Sequence, residues 1–245
     1  MQNAELRRKR IWIAGTHVST LWENGANKKL ENQIRLRSGH HNSEFLIPNS
    51  ELRLVRVWGY LCMDVNVNVS RTMLISERLV LRPWRVTDLK DFFTYASVPG
   101  VGEMAGWPHH QNMRTTKRVL SGFIKEMSEF AIVHKRDNKV IGSLGFHRSW
   151  TNEDYRYKHL RAKEIGYVLS KEHWGRGLAP EAVLKVVDYC FTTLDIEILA
   201  CGHFISNLQS KRVIEKCGFS YVMDSEYYAK RLRQNINAKR YILLR

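Results

Sequence analysis

Residues 163–182 read KEIGYVLSKEHWGRGLAPEA: an apolar run ends, Gly175 and Gly177 flank Arg176, and Pro180 opens a predicted helix. A glycine-rich link between strand and helix leaves backbone N–H groups unpaired beside the positive end of the helix dipole. That arrangement suits an anion, and a phosphate above all. The nucleotide pattern GxxxxGK[ST] does not occur in the chain. The dinucleotide pattern GxGxxG fails because Pro180 stands where the third glycine belongs, although Glu197 follows at about the usual remove. A plain glycine turn and the phosphates of some other cofactor remain.

Other residues of chemical interest lie around this loop. Glu164 opens the same strand, where a carboxylate could take a proton from an amine or pair with Lys163 or Arg161 at the surface. Asn207 and Ser210 are three apart at a predicted helix start and therefore share a face. Ser206 and Gln209 fit a capping box there, which gives Asn207 a purely structural alternative. The loop 98–111 carries Glu103, Trp107, His109 and His110, and Asp154 lies in a polar insertion over 147–162. Glu103 and Asp154 are candidates to attract an ammonium group. Cys62, Cys190, Cys201 and Cys217 have neither CxxC nor metal-ligand spacing. They read as core thiols of a reducing compartment, with no metal expected.

The elements that must position these groups alternate. Residues 79–85 suit a strand, and Asp88 is a predicted N-cap for the helix DLKDFFTYA. A second helix is predicted over 114–127, then a hairpin of residues 130–134 and 139–146 with Asp137-Asn138 in its turn. After the exposed insertion come the strand KEIGYVLS and a helix from Pro180 with an apolar stripe running Ala182, Val183, Val186, Val187 and Cys190. The strand IEILACGH, the helix SNLQSKRVIEKCGF closed by Gly218, and the strand YILLR complete the order. This describes an α/β domain around a mixed sheet.

Residues 1–72 differ in kind. Their apolar residues show no sustained period, and RLVRVWGYLCMDVNVNV suits a strand or two without an evident partner. The expected organisation is a poorly defined N-terminal extension over 1–72, read as disordered or as an over-long reading of the gene, and a domain over 73–245. The chain has 245 residues, 44% apolar and 26% charged, which fits a globular protein. No apolar run approaches the roughly 20 residues a membrane span needs, and the N-terminus lacks the marks of a signal or transit peptide, so the expected location is cytoplasmic. A net charge of +15 favours polyanions, from nucleic acid and the ribosome to cofactor phosphates.

Four segments in order, SERLVLRPWRVTDL, GEMAGWPHH, KEIGYVLSKEHWGRGLAPEA and NLQSKRVIEKCGF, resemble the GNAT superfamily of N-acetyltransferases. Gly177 and Ala179 match the last fixed positions of its acyl-CoA loop, [Q/R]xxGx[G/A], and Trp174 replaces Gln or Arg, as in the branch similar to RimJ and RimL. The resemblance implies a mostly antiparallel central sheet flanked by helices, with acetyl-CoA as cosubstrate. It implies cofactor contacts from Val168, Leu169, Trp174, Gly175, Arg176, Gly177, Leu178, Ala179 and Asn207. Glu164 is then the expected base and Ser210 the thiolate stabiliser, since Ile214 stands where other members carry a tyrosine acid. Glu103 and Trp107 are expected at the acceptor. That acceptor is expected to be a protein N-terminal α-amine, with a polyamine, aminoglycoside or amino-acid-like amine as the alternative, or a non-catalytic CoA-binding module. The remaining expectations are a monomer or homodimer, ribosome association and no membrane.

Overall fold

The computed structural model describes residues 64–245 and, ahead of them, the strands β1 (Arg7–Ile13) and β2 (Thr16–Trp22). These two strands pair antiparallel, from Arg7 opposite Trp22 to Ile13 opposite Thr16. They belong to a unit over Met1–Leu61, and a second unit spans Cys62–Arg245. The remainder of the expected extension as far as residue 63 lies outside the described residues, whereas 64–72 belong to the second unit.

The second unit runs β3 (Leu74–Ile75), β4 (Leu79–Pro83), α1 (Leu89–Ala96), α2 (Met113–Glu126), β5 (Glu129–His134), β6 (Lys139–His147), β7 (Ala162–Leu169), α3 (Leu178–Thr192), β8 (Ile198–Phe204), α4 (Leu208–Lys216), β9 (Ser220–Ala229) and β10 (Gln234–Leu244). One sheet takes these strands in the order β3-β4-β5-β6-β7-β8-β10-β9, and only β7 and β8 run parallel.

Both faces of the sheet are covered, so its central strands are apolar on alternate residues of either side. Phe130 and Ile132 of β5 join Leu144, Ile165 and the α3 residues Ala182, Val183 and Val186 in one core. Ala131 and Val133, one step out of phase, join Trp84, Phe92, Tyr95 and Leu120 under α1 and α2.

The feature that makes a site is where β7 and β8 part. They pair only over Ala162–Glu164 against Ile198–Ala200. Beyond that, β7 stays with β6 as far as Leu169, while β8 stays with β10 through Phe204. A wedge opens between them.

Several expectations shift. The boundary at residue 73 falls inside the second unit, because Val67 and Val69 are buried in the main core and Asp64 bridges Ala162 of β7. The insertion after β6 is not wholly exposed: Ser149, Thr151 and Asn152 are buried. Asp88 precedes α1 but does not cap it with its side chain. Its carboxylate takes both Arg82 guanidinium nitrogens at 2.8 Å and the Arg85 N–H. Helix α3 starts two residues before Pro180, and β9 was not foreseen.

Candidate active site

The glycine loop has the open backbone that an anion site needs. Gly175 and Gly177 have φ of +73° and +75°, a left-handed conformation that side-chain-bearing residues rarely adopt. Gly177 is the N-cap of α3 and offers no capping side chain, so the first-turn N–H groups of Leu178 and Ala179 are left for a ligand. The Cβ position of Gly175 is open. Arg78 donates to the Arg176 carbonyl and forms a two-point ion pair with Glu181 in the first turn of α3. Ser76 and the Arg78 N–H also donate to Glu181, which overcomes its partial burial and holds its pKa down. Arg78 is thereby fixed beside the loop, with a guanidinium nitrogen 3.6 Å from the Gly177 Cβ position. Arg176, Gly175 and Gly177 are exposed, whereas Leu178 is buried and serves the core. Ala179 also packs on that core.

The open edge of β7 has a definite phase. The Arg161 carbonyl accepts from Ile198 of β8, and the Ala162 carbonyl accepts from Val65 on the other side. Alternation along the strand therefore turns the backbone groups of Ile165, Tyr167 and Leu169 toward the wedge and those of Val168 toward β6. Trp174 donates its indole N–H to the Leu169 carbonyl at 2.8 Å, locking the loop onto the end of β7. Of the two residues expected to supply backbone contacts, Leu169 faces the wedge. Val168 instead packs its side chain on the α1–α2 core.

Across the wedge, Asn207 caps α4. Its Oδ1 accepts from the Ser210 N–H at 3.0 Å, and its Nδ2 donates to the Met104 carbonyl. The cap is Asn207 rather than Ser206. Ser210 Oγ lies 2.9 Å from the Tyr167 hydroxyl, which also donates to the Ser210 carbonyl. Burial raises the Tyr167 pKa, so this phenol keeps its proton. Sequence spacing could not find this pair, because the residues come from different elements on either side of the wedge.

The opposite face of β7 carries acids. Glu164 has its pKa raised by desolvation, against the opposing pull of the Trp150 backbone and Arg240. His147 lies opposite Glu164 in the β6–β7 register, and its ring sits over Gly166. Desolvation and Lys163 depress its pKa, while Glu126 acts the other way. Glu129 of β5 is opposite Gly145, and its carboxylate fills the space where a Cβ at 145 would stand. Burial, with Glu126 adding to it, pushes Glu129 up to about 8. Neither Glu129 nor His147 was singled out from sequence. Only the lateral register shows that they share a face with Glu164.

An acetyltransferase (GNAT) domain family matches residues 78–220. The chain belongs to this family. An uncharacterized N-acetyltransferase of Bacillus subtilis (strain 168), YoaA, is 30% identical over 152 residues, covering 60% of this chain and 82% of its own. Two solved structures share the fold. A ribosomal-protein-S5-alanine acetyltransferase from Vibrio fischeri superposes with a TM-score of 0.55 at 17% identity, over 71% of this chain and 96% of that one. A spermidine N-acetyltransferase from Vibrio cholerae, in complex with CoA and spermine, gives 0.56 at 18% identity, over 69% and 96%. A ribosomal-protein acetyltransferase is thus among the proteins that share the fold. The protein is an acyltransferase.

On this GNAT scaffold the loop between α1 and α2 faces the start of β10. A cleft of about 390 Å³ there is lined by Glu103, Met104, Phe204, Ser206 and Gln234–Asn237. Glu103 keeps to the loop itself. Burial works against its charge, but the His109 N–H and ring and the Gly100 N–H outweigh this and hold its pKa at about 2. Trp107 packs over Gly102 and beside His110, so it too shapes the loop. Asp154 is tied to Arg156 at 2.7 Å. Among the described residues, no helix is long and apolar enough to cross a membrane.

Proposed function

We propose that this acyltransferase moves an acetyl group from acetyl-CoA to a primary amine, and that the acceptor is the N-terminal α-amine of a protein. The observation that carries the acceptor is the free edge at the start of β10. Gln234–Asn237 line the cleft and pair with β9 on one side; on the other, the Asn237 carbonyl accepts from the Ile205 N–H at 2.9 Å and the ladder with β8 begins at Ala238, which leaves the edge open over Gln234–Ile236. An unpaired strand edge with side-chain amides takes up an extended peptide through main-chain hydrogen bonds. The neighbouring hairpin tip carries Lys230, Arg231 and Arg233. Arg231 is close enough to help depress the His110 pKa, after desolvation. That charge repels a polyamine.

When bound, acetyl-CoA supplies a thioester whose carbonyl carbon accepts the amine and whose sulfur departs as a thiolate. The uncapped start of α3, with Gly175, Arg176 and Gly177, holds the pyrophosphate. Tyr167 and Leu169 offer backbone groups along the open edge of β7 to the pantetheine amides. Glu164 removes the ammonium proton, and its raised pKa makes it a stronger base than an exposed carboxylate. An α-amine, with a pKa of about 8, needs only modest help. Ser210 and Tyr167 stabilise the leaving sulfur, filling the place left by Ile214. His147 and Glu129 complete the polar floor beneath the amine.

The test is a panel of acceptors assayed by release of the CoA thiol, with product position read by mass spectrometry. Peptides with free N-termini should be acetylated at the α-amine and outcompete spermidine at equal concentration. Preferential turnover of spermidine would replace this acceptor. No turnover with any amine, despite tight acetyl-CoA binding, would leave a CoA-binding module.

A further inference from the structure

We propose that His134, Asp137 and His173 form a binding site for a divalent transition-metal ion of the zinc class, fastening the β5–β6 turn to the cofactor loop. The site lies apart from the acyl-transfer chemistry and goes beyond it. His134 Nδ1 stands 2.6 Å from Asp137 Oδ2, and His173 Nε2 is 4.0 Å from the same oxygen. One ligand atom from each of the three residues lies within 4.8 Å of the other two. The imidazole rings meet edge to face, with centroids 5.5 Å apart.

Zinc binds imidazole nitrogen and carboxylate oxygen at about 2.0–2.2 Å, so ligand atoms around a tetrahedral ion stand roughly 3.3 Å apart. The 4.0 Å gap closes with a movement of well under 1 Å. Two imidazoles and one carboxylate select zinc, cobalt or nickel over the harder calcium and magnesium. Three protein ligands leave a position for water, as in open zinc sites.

A second observation points the same way. The His173 side chain is 13% exposed, yet its buried Nδ1 has no hydrogen-bond partner among the described residues. Its Nε2 is beyond hydrogen-bond range of Asp137. A largely covered ring that makes no hydrogen bond at either nitrogen is costly. An ion on Nε2 engages the nitrogen that Asp137 does not reach and fixes the ring in place, and Asp137, 44% exposed, marks the way in. Linear spacing did not suggest a metal, because His173 comes 36 residues after Asp137. The consequence is positional: His173 immediately precedes Trp174, whose indole holds Leu169, and Gly175 follows.

The experiment uses the untagged full chain, stripped with a chelator and titrated with Co²⁺ while its visible absorption is followed, then with Zn²⁺ in competition. One ion per chain is expected, in a spectrum typical of low-coordinate cobalt. His134→Ala and His173→Ala should each weaken binding by at least about 10-fold, as ligand-shell changes do. Asp137→Asn, at an exposed turn position, provides the same reading should an alanine variant fail to fold. Absence of one-to-one binding by the wild-type chain overturns the proposal. So does binding that survives the substitutions, which would place the ion on other histidines such as His40 and His41.

Discussion

Replacing Gly142 with alanine tests whether the cofactor strand is held where the chemistry needs it. Gly142 lies opposite Leu169 in the β6–β7 ladder. A Cβ added there would sit 2.3 Å from the Val168 carbonyl oxygen and 3.1 Å from the Leu169 Cα. Real Cβ contacts essentially never fall under 3.0 Å, so the two strands must separate by at least about 0.7 Å, and the obstacle is backbone rather than a side chain that swings aside. Overpacking of this kind costs about 1–3 kcal/mol of stability. The larger effect falls on turnover. The displaced segment includes Leu169, whose N–H faces the wedge and whose carbonyl anchors Trp174. A misplacement of about 1 Å in a positioned reactant costs on the order of 10²-fold in rate. Steady-state kinetics with acetyl-CoA, beside urea unfolding, separate the two effects. Gly122→Ala on α2 is the control. Its nearest contact is 4.0 Å away, and helix propensity should make it about 0.5–1 kcal/mol more stable with unchanged kcat/KM. A Gly142→Ala enzyme within threefold of wild type in kcat/KM would refute the reasoning that β7 must hold its place.

Three further outcomes follow from the same geometry. Glu164→Gln should lower kcat by about 10²–10⁴ at neutral pH. Because burial raises the Glu164 pKa, the wild-type kcat should climb through a limb above the ordinary carboxylate range, and the variant should lack that limb. The folded protein holds a proton on Glu129 up to about pH 8, whereas the unfolded chain releases it near 4.5. The folded state therefore binds more protons across that window, and stability falls as pH rises through it. Melting temperatures of Glu129→Gln should fall less over the same range, and parallel curves would show that Glu129 titrates normally. A chain starting at Cys62 should unfold like the second unit of the full protein, while one starting at Met73 should melt at a lower temperature. The shorter chain loses the buried Val67 and Val69, and it leaves Lys163 without the Asp64 carboxylate that meets it at 3.2 Å. Equal melting points would restore the boundary at 73.

The strands and helices whose two sides are both buried were legible from sequence, since β5, β6 and β7 carry apolar residues on successive positions. The glycine loop was legible because an uncapped helix start demands particular residue types. The start of the domain was not. DVNVNV alternates in the strand period, and Val65, Val67 and Val69 do turn inward, yet nothing local names their partner. Strand β9 was missed for the opposite reason. It is an edge strand with most of its residues exposed or half-exposed, so no apolar phase marks it. Asn207 reads from sequence as a cofactor ligand with Ser206 as the rival cap, whereas in the structure its own side chain caps α4 while tying down the Met104 loop. The meetings of Tyr167 with Ser210, and of Glu129 and His147 with Glu164, depend on register and on elements crossing in space. Neither is written in linear spacing.

Three residue pairs of parallel ladder are all that joins β7 to β8. The sheet is therefore two half-sheets, β3 to β7 and β8 to β9, hinged at one end like the covers of a book. On the proposed reading, a molecule lying in the opening would touch both covers and replace the absent ladder with its own hydrogen bonds. The cosubstrate would then also be a structural member. The amides of β7 and β8 beyond the hinge should exchange with solvent more slowly once it is bound, and the two covers should then unfold as one.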